Sequence, residues 1–246
     1  MKILVDGLNI TYKKIVSQNG KYVLLLHGWG GDLNSFRFLC EYLASKGFGV
    51  VCLDFPGFGG SDVPPETFCL EDYCNVAKKV LEAEKIDKVS IVAHSFGGRV
   101  AILLASKNVG LVDKLVLVDS AGLKPKFSIT RWAKVCHYKF LKSLKKAKII
   151  KRDLSNFGSE DYKALPQNLR PVFNNIIKTD LSKNLKYISC PTLIVWGKQD
   201  KDTPYYMAKK LKKGIKDSAI VTFDGGHFAY LQNSQKFSII VNQFLK

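Results

Sequence analysis

Lys88-Val89-Ser90-Ile91-Val92-Ala93-His94-Ser95-Phe96-Gly97-Gly98-Arg99 decides the reading of the whole chain. Val89, Ile91 and Val92 form a β-branched run that reads as a buried strand. The apolar run Val100-Ala101-Ile102-Leu103-Leu104-Ala105 that follows suits the inner face of a helix. Only a few residues turn the chain between them. A turn that tight holds its central residue in a strained conformation and needs very small neighbours. Ser95 stands at the centre, with Ala93 two residues before it and Gly97 two after. Its hydroxyl is thereby raised at the carboxyl end of a sheet. It also faces a helix amino terminus, whose free N–H groups favour developing negative charge. A serine nucleophile needs that placement; a serine that merely caps the helix is the alternative reading of the segment alone.

Working outward, strands and helices alternate. Tyr22-Val23-Leu24-Leu25-Leu26 is a continuous apolar run, as expected of a strand covered on both faces, and it ends in His27-Gly28-Trp29-Gly30-Gly31. A helix is expected over 34–46, with Phe36, Leu39, Leu43 and Ala44 on one stripe, then a strand at 50–53 and a helix at 70–84. Residues 2–5 and 8–13 read as two strands joined by a tight turn at Asp6-Gly7. Beyond the central stretch, Lys114–Val118 and Pro191–Trp196 read as strands, followed by a helix at 204–213, a strand at 218–223 and a helix at 234–245. This order predicts an α/β fold: a mostly parallel sheet with helices on both faces. From 123 to 187 no strand is evident, and helical periodicity over 128–150 and 159–178 predicts a helical cap inserted into a core domain of residues 1–122 and 188–246.

The 246-residue chain, with 46% hydrophobic and 24% charged residues, has the composition of an ordinary globular domain. No apolar run is long enough to cross a bilayer, and Asp6 interrupts the start where a signal peptide would continue its apolar region; a cytoplasmic protein is expected. Six cysteines lie scattered without a C-x-x-C pair and read as buried thiols, so no disulfide framework and no metal site is expected. The net charge of +17 is uneven: residues 122–187 hold 16 Lys/Arg against 4 Asp/Glu. A solvated lysine face explains this, and docking on an anionic membrane surface is a second reading. A nucleic-acid role is not expected, because the basic residues come with no binding module.

A serine hydroxyl needs a base, usually histidine, and the histidine needs a carboxylate to fix its tautomer. In an open α/β sheet these groups lie just past the carboxyl ends of strands. The four histidines are His27, His94, His137 and His227. His227 follows the strand at 218–223 through Asp224-Gly225-Gly226, and Asp200 follows the strand at 191–196. Asp202 is a neighbouring candidate for the acid. Asp119 is a third, more in keeping with bracing a turn. His27 and His94 flank the site and are expected to brace it by hydrogen bonds. His137 lies among lysines and reads as solvated.

The motifs His27-Gly28-Trp29-Gly30-Gly31, Asp54-Phe55-Pro56-Gly57-Phe58-Gly59, His94-Ser95-Phe96-Gly97-Gly98, Trp196-Gly197-Lys198-Gln199-Asp200 and Gly226-His227-Phe228 together resemble the α/β-hydrolase superfamily, in its serine-triad branch with a small helical cap. The first position of the elbow departs from the pattern, with Ala93 in place of glycine. The resemblance covers essentially the whole chain, strongly over 22–120 and 190–246. It implies Ser95 as nucleophile, His227 as general base and Asp200 as the residue orienting it. It also implies an oxyanion hole made by the backbone N–H groups of Trp29 and Phe96, and no cofactor. The cap's apolar residues Trp132, Phe140, Phe157 and Phe173 would line the substrate pocket. The implied activity is hydrolysis of a small or medium apolar carboxylic ester. Lysophospholipase, thioesterase and carbon–carbon-bond hydrolase use the same triad, while a haloalkane dehalogenase would need aspartate at position 95. A ligand-binding relative without catalysis is the alternative from another class.

Overall fold

The computed structural model describes residues 1–126, 137, 141, 143, 147 and 165–246. Eight strands form one sheet: β1 (Lys2–Val5), β2 (Leu8–Ile15), β3 (Tyr22–Leu26), β4 (Gly49–Leu53), β5 (Val89–His94), β6 (Val112–Val118), β7 (Thr192–Gly197) and β8 (Ser218–Phe223). Their order across the sheet is β1-β2-β4-β3-β5-β6-β7-β8. β1 and β2 pair antiparallel, β2 joins β4 antiparallel, and every other pairing is parallel. The helices include α1 (Arg37–Ser45), α2 (Leu70–Ala83), α3 (Phe96–Lys107), α4 (Arg170–Lys178), α5 (Tyr206–Gly214), α6 (Ala229–Gln232) and α7 (Ser234–Leu245), with 3₁₀ turns at Gln167–Leu169 and Leu185–Tyr187.

The inner strands are apolar throughout because both faces are covered, and alternate residues serve opposite faces. Leu24, Leu26, Ile91, Ala93, Leu115 and Leu117 join the cluster under α2, α3 and α5. Val23, Leu25, Val92, Val116 and Val118 join the cluster under α1 and α7. Parallel register then aligns the strand ends: Leu26 pairs with Ala93, His94 with Val118, Val118 with Val195, and Gly197 with Phe223. The chain runs from β3 to β4 on one side and returns to β5 on the other, so the strand order reverses at β3/β5. Open α/β sheets bind ligands outside the carboxyl ends at such a switch point. There the loop after β3 and Ser95 after β5 meet.

Two boundaries differ from the sequence-based expectation for local reasons. The helix expected from 34 starts at Arg37, because Asp32 first closes a turn by accepting from the N–H groups of Asn34 at 2.7 Å and Ser35 at 3.0 Å. β2 runs on to Ile15 because it pairs with β4 as far as Ile15↔Val50. Most of the expected 123–187 cap lies outside the described residues. Its described part holds no strand. Val172, Ile176, Leu181 and Leu185 pack into the same apolar cluster as α3, and Leu181 N–H donates to Gly122 O at 2.9 Å. Of the cysteines, Cys40, Cys52, Cys74 and Cys190 are buried free thiols and Cys69 is half-buried; Cys136 lies outside the described residues. Among the described residues no helix is long and apolar enough to cross a membrane.

Candidate active site

Ser95 links the end of β5 to the start of α3 with φ +48° and ψ −109°. A non-glycine residue in that region costs roughly 1–3 kcal/mol and persists only where its surroundings hold it. They do: Ser95 N–H donates to Val118 O, and Ser95 O accepts from Gly98 N–H and Ala121 N–H, each at 3.0 Å. The neighbours must be small. A Cβ on Gly97 would run into the main-chain oxygens of Leu26 and His27, and one on Gly98 into the Ser120 side chain. Ala93, the departure from the glycine pattern, is fully buried between β3 and β6 and has room for its methyl group.

His227 stands just past β8, and its Nδ1 is hydrogen-bonded to Asp200 Oδ2 at 2.8 Å. Asp200, 5% exposed, lies in the turn after β7. Its Oδ2 also accepts from Thr203 Oγ1 at 2.7 Å, and its Oδ1 from the N–H groups of Asp202 at 2.8 Å and Thr203 at 3.0 Å. The carboxylate partner of His227 is therefore Asp200, with Asp202 contributing its main-chain N–H to the loop. Burial alone would raise the Asp200 pKa, but the His227 and Thr203 contacts more than offset it and hold the carboxyl below its usual range. Burial would lower the His227 pKa, and the hydrogen bond and charge of Asp200 overturn that, leaving it above the usual histidine value. With Nδ1 engaged, Nε2 is the nitrogen left to take a proton.

Among the described residues Ser95 and His227 share no direct hydrogen bond; His94 joins them. Its ring is fully buried, its Nε2 donates to His227 O at 2.9 Å, and its ring centroid lies 4.7 Å from that of His227. Burial first, then the neighbouring His227, push its pKa down to about 3, so it is a neutral spacer. His27 is likewise buried and neutral. Its Nε2 accepts from Phe55 N–H at 3.0 Å, which puts the proton on Nδ1, 2.7 Å from Gly28 O. Both histidines brace, as expected. His137 is exposed.

The loops after β3 and β4 are tied together by Asp54, which accepts from Leu33 N–H at 2.6 Å and Gly60 N–H at 2.8 Å. This is the role of the Asp54–Gly60 stretch, whose glycines wrap the carboxylate. Among the described residues the main-chain N–H groups of Trp29 and Phe96 have no acceptor. Phe96 opens α3, where a free N–H is inherent to a helix start. The two side chains pack edge to face at 4.9 Å, and Trp29 also meets Phe58 at 4.9 Å and Phe173 at 5.1 Å. A cavity of about 330 Å³ opens beside Trp29, lined by Asp32, Phe58, Gly59, Leu165 and Leu169 among others. Phe173 thus borders the site; Trp132, Phe140 and Phe157 lie outside the described residues.

Asp200, Asp202 and His227 offer ligand atoms within 4.8 Å of one another. The Asp200 oxygens are already engaged by Thr203, Asp202 N–H and His227, which suits orientation of an imidazole; no metal is assigned. Two contributors escape a reading of the sequence. Thr203, 7% exposed, holds Asp200 by both its N–H and its hydroxyl. Arg99, at the start of α3, donates through Nη1 to Thr179 O at 2.8 Å. A hydroxyl three residues after the acid is a faint signal for the first, and nothing local marks the second.

The family model described as the alpha/beta hydrolase fold matches residues 21–149. The AB hydrolase superfamily protein YisY of Bacillus subtilis is 29% identical, with 92% of each chain covered. The 2-hydroxy-6-oxononadienedioate/2-hydroxy-6-oxononatrienedioate hydrolase 1 of Dechloromonas aromatica is 28% identical over 91% of this chain and 86% of its own. A solved structure of a hydrolase from Pseudomonas aeruginosa matches with a TM-score of 0.80 at 20% identity, covering 100% of this chain and 97% of its own. With strand order, elbow and family match in agreement, the chain belongs to the α/β-hydrolase fold family.

Proposed function

We propose that the protein is a serine hydrolase of carboxylic esters. His227 Nε2 takes the proton of Ser95 as its Oγ attacks the acyl carbonyl, and the oxyanion forms against the N–H groups of Trp29 and Phe96. The tetrahedral adduct collapses, the ester C–O bond breaks, and the His227 proton leaves with the alcohol. Water, deprotonated by His227, then attacks the acyl-Ser95 ester and releases the acid and the free serine. Asp200 keeps the His227 proton on Nδ1 and stabilises the imidazolium. The observation that carries this reading is the 2.8 Å Asp200–His227 hydrogen bond beside a strained serine elbow.

The carbon–carbon-bond hydrolase named among the relatives gives a second reading, since the same serine machinery serves it. That relative's name describes a dicarboxylate substrate. Asp32 is the one ionisable side chain among the described residues lining the cavity here, and a carboxylate there repels anions. This supports a neutral ester.

A fluorophosphonate probe should label the wild type and leave Ser95→Ala unlabelled; a wild type that resists labelling overturns the hydrolase reading. A panel of p-nitrophenyl esters of graded acyl length, with a lysophospholipid and a dienedioate alongside, then ranks the substrates. Turnover confined to the dienedioate would displace the ester.

A further inference from the structure

The turn that carries His227 is Asp224-Gly225-Gly226-His227, and a pair of glycines holds no backbone conformation by itself. Gly225 sits at φ +128°, and a Cβ there would run into the Gln232 side chain and Ala229 of α6. The position of the base therefore has to be fixed from outside its own turn. His94 supplies one hold, on the main-chain oxygen of His227 itself. A second hold lies two residues upstream. The β7–β8 ladder ends at Gly197↔Phe223, and further rungs run on into the turns that carry the acid and the base. Lys198 N–H donates to Phe223 O, and Gln199 N–H to Gly225 O, each at 2.9 Å. Gly197 lets the two turns close up, because a Cβ there would meet Gly226 O. The Gln199 side chain then folds back, and its Oε1 accepts from Gly225 N–H. Both main-chain polar groups of Gly225 are thus held by one residue, and that residue directly precedes Asp200.

We propose that Gln199 is a positioning residue whose side-chain carbonyl and main-chain N–H clamp Gly225 and so set His227 in register with Asp200. Its effect on rate rests on the hydrolase reading above. Lys198 and Asp224 also bridge the two turns, at 2.9 Å, but their side chains are 50% and 82% exposed, and an ion pair so solvated contributes little. Gln199 is exposed as well, yet its two bonds close a ring on a single residue and restrain both its place and its tilt. Without the side-chain bond, the glycine turn samples positions in which His227 is out of line for proton transfer. Substrate binding, which falls to the cavity beside Trp29, is untouched. The loss therefore belongs in kcat and not in KM.

Gln199→Met keeps the length of the side chain and removes its acceptor, while Gln199→Glu keeps an acceptor oxygen at the same reach. Rates are compared at about pH 9, above the His227 limb, where the added charge of glutamate bears least on the base. There kcat for an ester should fall about three- to tenfold in Gln199→Met, with KM within about twofold, and recover in Gln199→Glu. Lys198→Ala, which breaks only the exposed ion pair, should leave kcat unchanged. A readout that needs no substrate is the Nδ1 proton of His227, whose bond to Asp200 gives a far-downfield ¹H resonance, assigned by its absence from His227→Gln. The resonance should be sharp in the wild type and Gln199→Glu, and broadened by solvent exchange in Gln199→Met. Wild-type kcat and a sharp resonance in Gln199→Met overturn the clamp. So does a loss that Gln199→Glu fails to recover or that Lys198→Ala matches. A wild type that shows the resonance but hydrolyses no ester sinks the hydrolase reading, and the resonance in Gln199→Met still decides the clamp.

Discussion

His94 Nε2 donates to the main-chain oxygen of His227 at 2.9 Å, so the residue before the elbow serine fixes the loop that carries the base. The donor sits on β5 and the acceptor beyond β8, at opposite sides of the site. A 1 Å misplacement in such a site can cost about 10²-fold. His94→Ala should lower kcat/KM by about that factor, and His94→Gln, which can still donate, should recover part of it. Because burial keeps His94 neutral, with a pKa of about 3, neither variant should move the pH profile between 5 and 8. An unchanged rate in His94→Ala would show that the His227 loop holds itself.

Asp200→Asn tests the base and its partner. Replacing the carboxylate by an amide removes the acceptor that keeps the proton on Nδ1, and kcat should fall about 10⁴-fold with the fold intact. The pKa of His227 is raised in the folded protein, so the imidazole becomes an available base only as pH climbs above its ordinary value of 6.5. The rising limb of kcat/KM should lie above pH 6.5 in the wild type and move down in Asp200→Asn. Stability follows the same sign: what the protonated His227 contributes is fully present below 6.5 and fades as pH rises through the folded value. Asp200, held below its usual range, contributes above that range, and this is lost as pH falls through its folded value. A limb that stays in place in Asp200→Asn would mean that another group governs it.

Gly97 sits where the main chains of β3 and α3 nearly touch. A methyl group there would meet the carbonyl oxygens of Leu26 and His27, and neither can yield without moving the end of β3. Gly97→Ala should cost about 1–3 kcal/mol and disturb the Ser95 turn. Thermal unfolding read beside probe labelling checks both effects. A stable, fully labelled Gly97→Ala would show that the elbow has more room than the backbone allows.

The strands and the Ser95 turn were legible in the sequence because their signals are local: apolar runs at 22–26, 89–92 and 114–118, and small residues around one serine. The pairing of Asp200 with His227 was legible because each follows a strand end, and parallel strands bring such ends to one edge. Thr203 left little trace because its role exists only once Asp200 is buried beside it. Three candidate pocket residues in the basic segment, Trp132, Phe140 and Phe157, lie outside the described residues. Phe173 is within them and meets Trp29.

Arg99 was illegible too, because its partners lie about 80 residues away. Its guanidinium reaches from the start of α3 to the end of α4, donating to Thr179 O at 2.8 Å and Ile176 O at 3.4 Å. Both carbonyls stand at a helix carboxyl end, where partial negative charge suits a cation; Ile176 O also accepts from Thr179 N–H at 3.2 Å. Burial pushes the Arg99 pKa down to about 10 against the pull of Asp180, and the group still keeps its charge throughout the physiological range. Arg99→Met fills the space but takes the guanidinium donor away from Thr179 O. It should cost about 1–3 kcal/mol, because hydrogen bonds from a charged group are lost. The loss should be local as well as global, since α4 carries Phe173 against Trp29. Hydrogen exchange should therefore quicken over 170–181 in Arg99→Met before it does so over β5 or β6. Arg99→Lys, which keeps the charge but not the reach of the fork, should fall between the two. Exchange that quickens evenly over the whole chain would mean that Arg99 supports the core at large and does not act as a tether for α4.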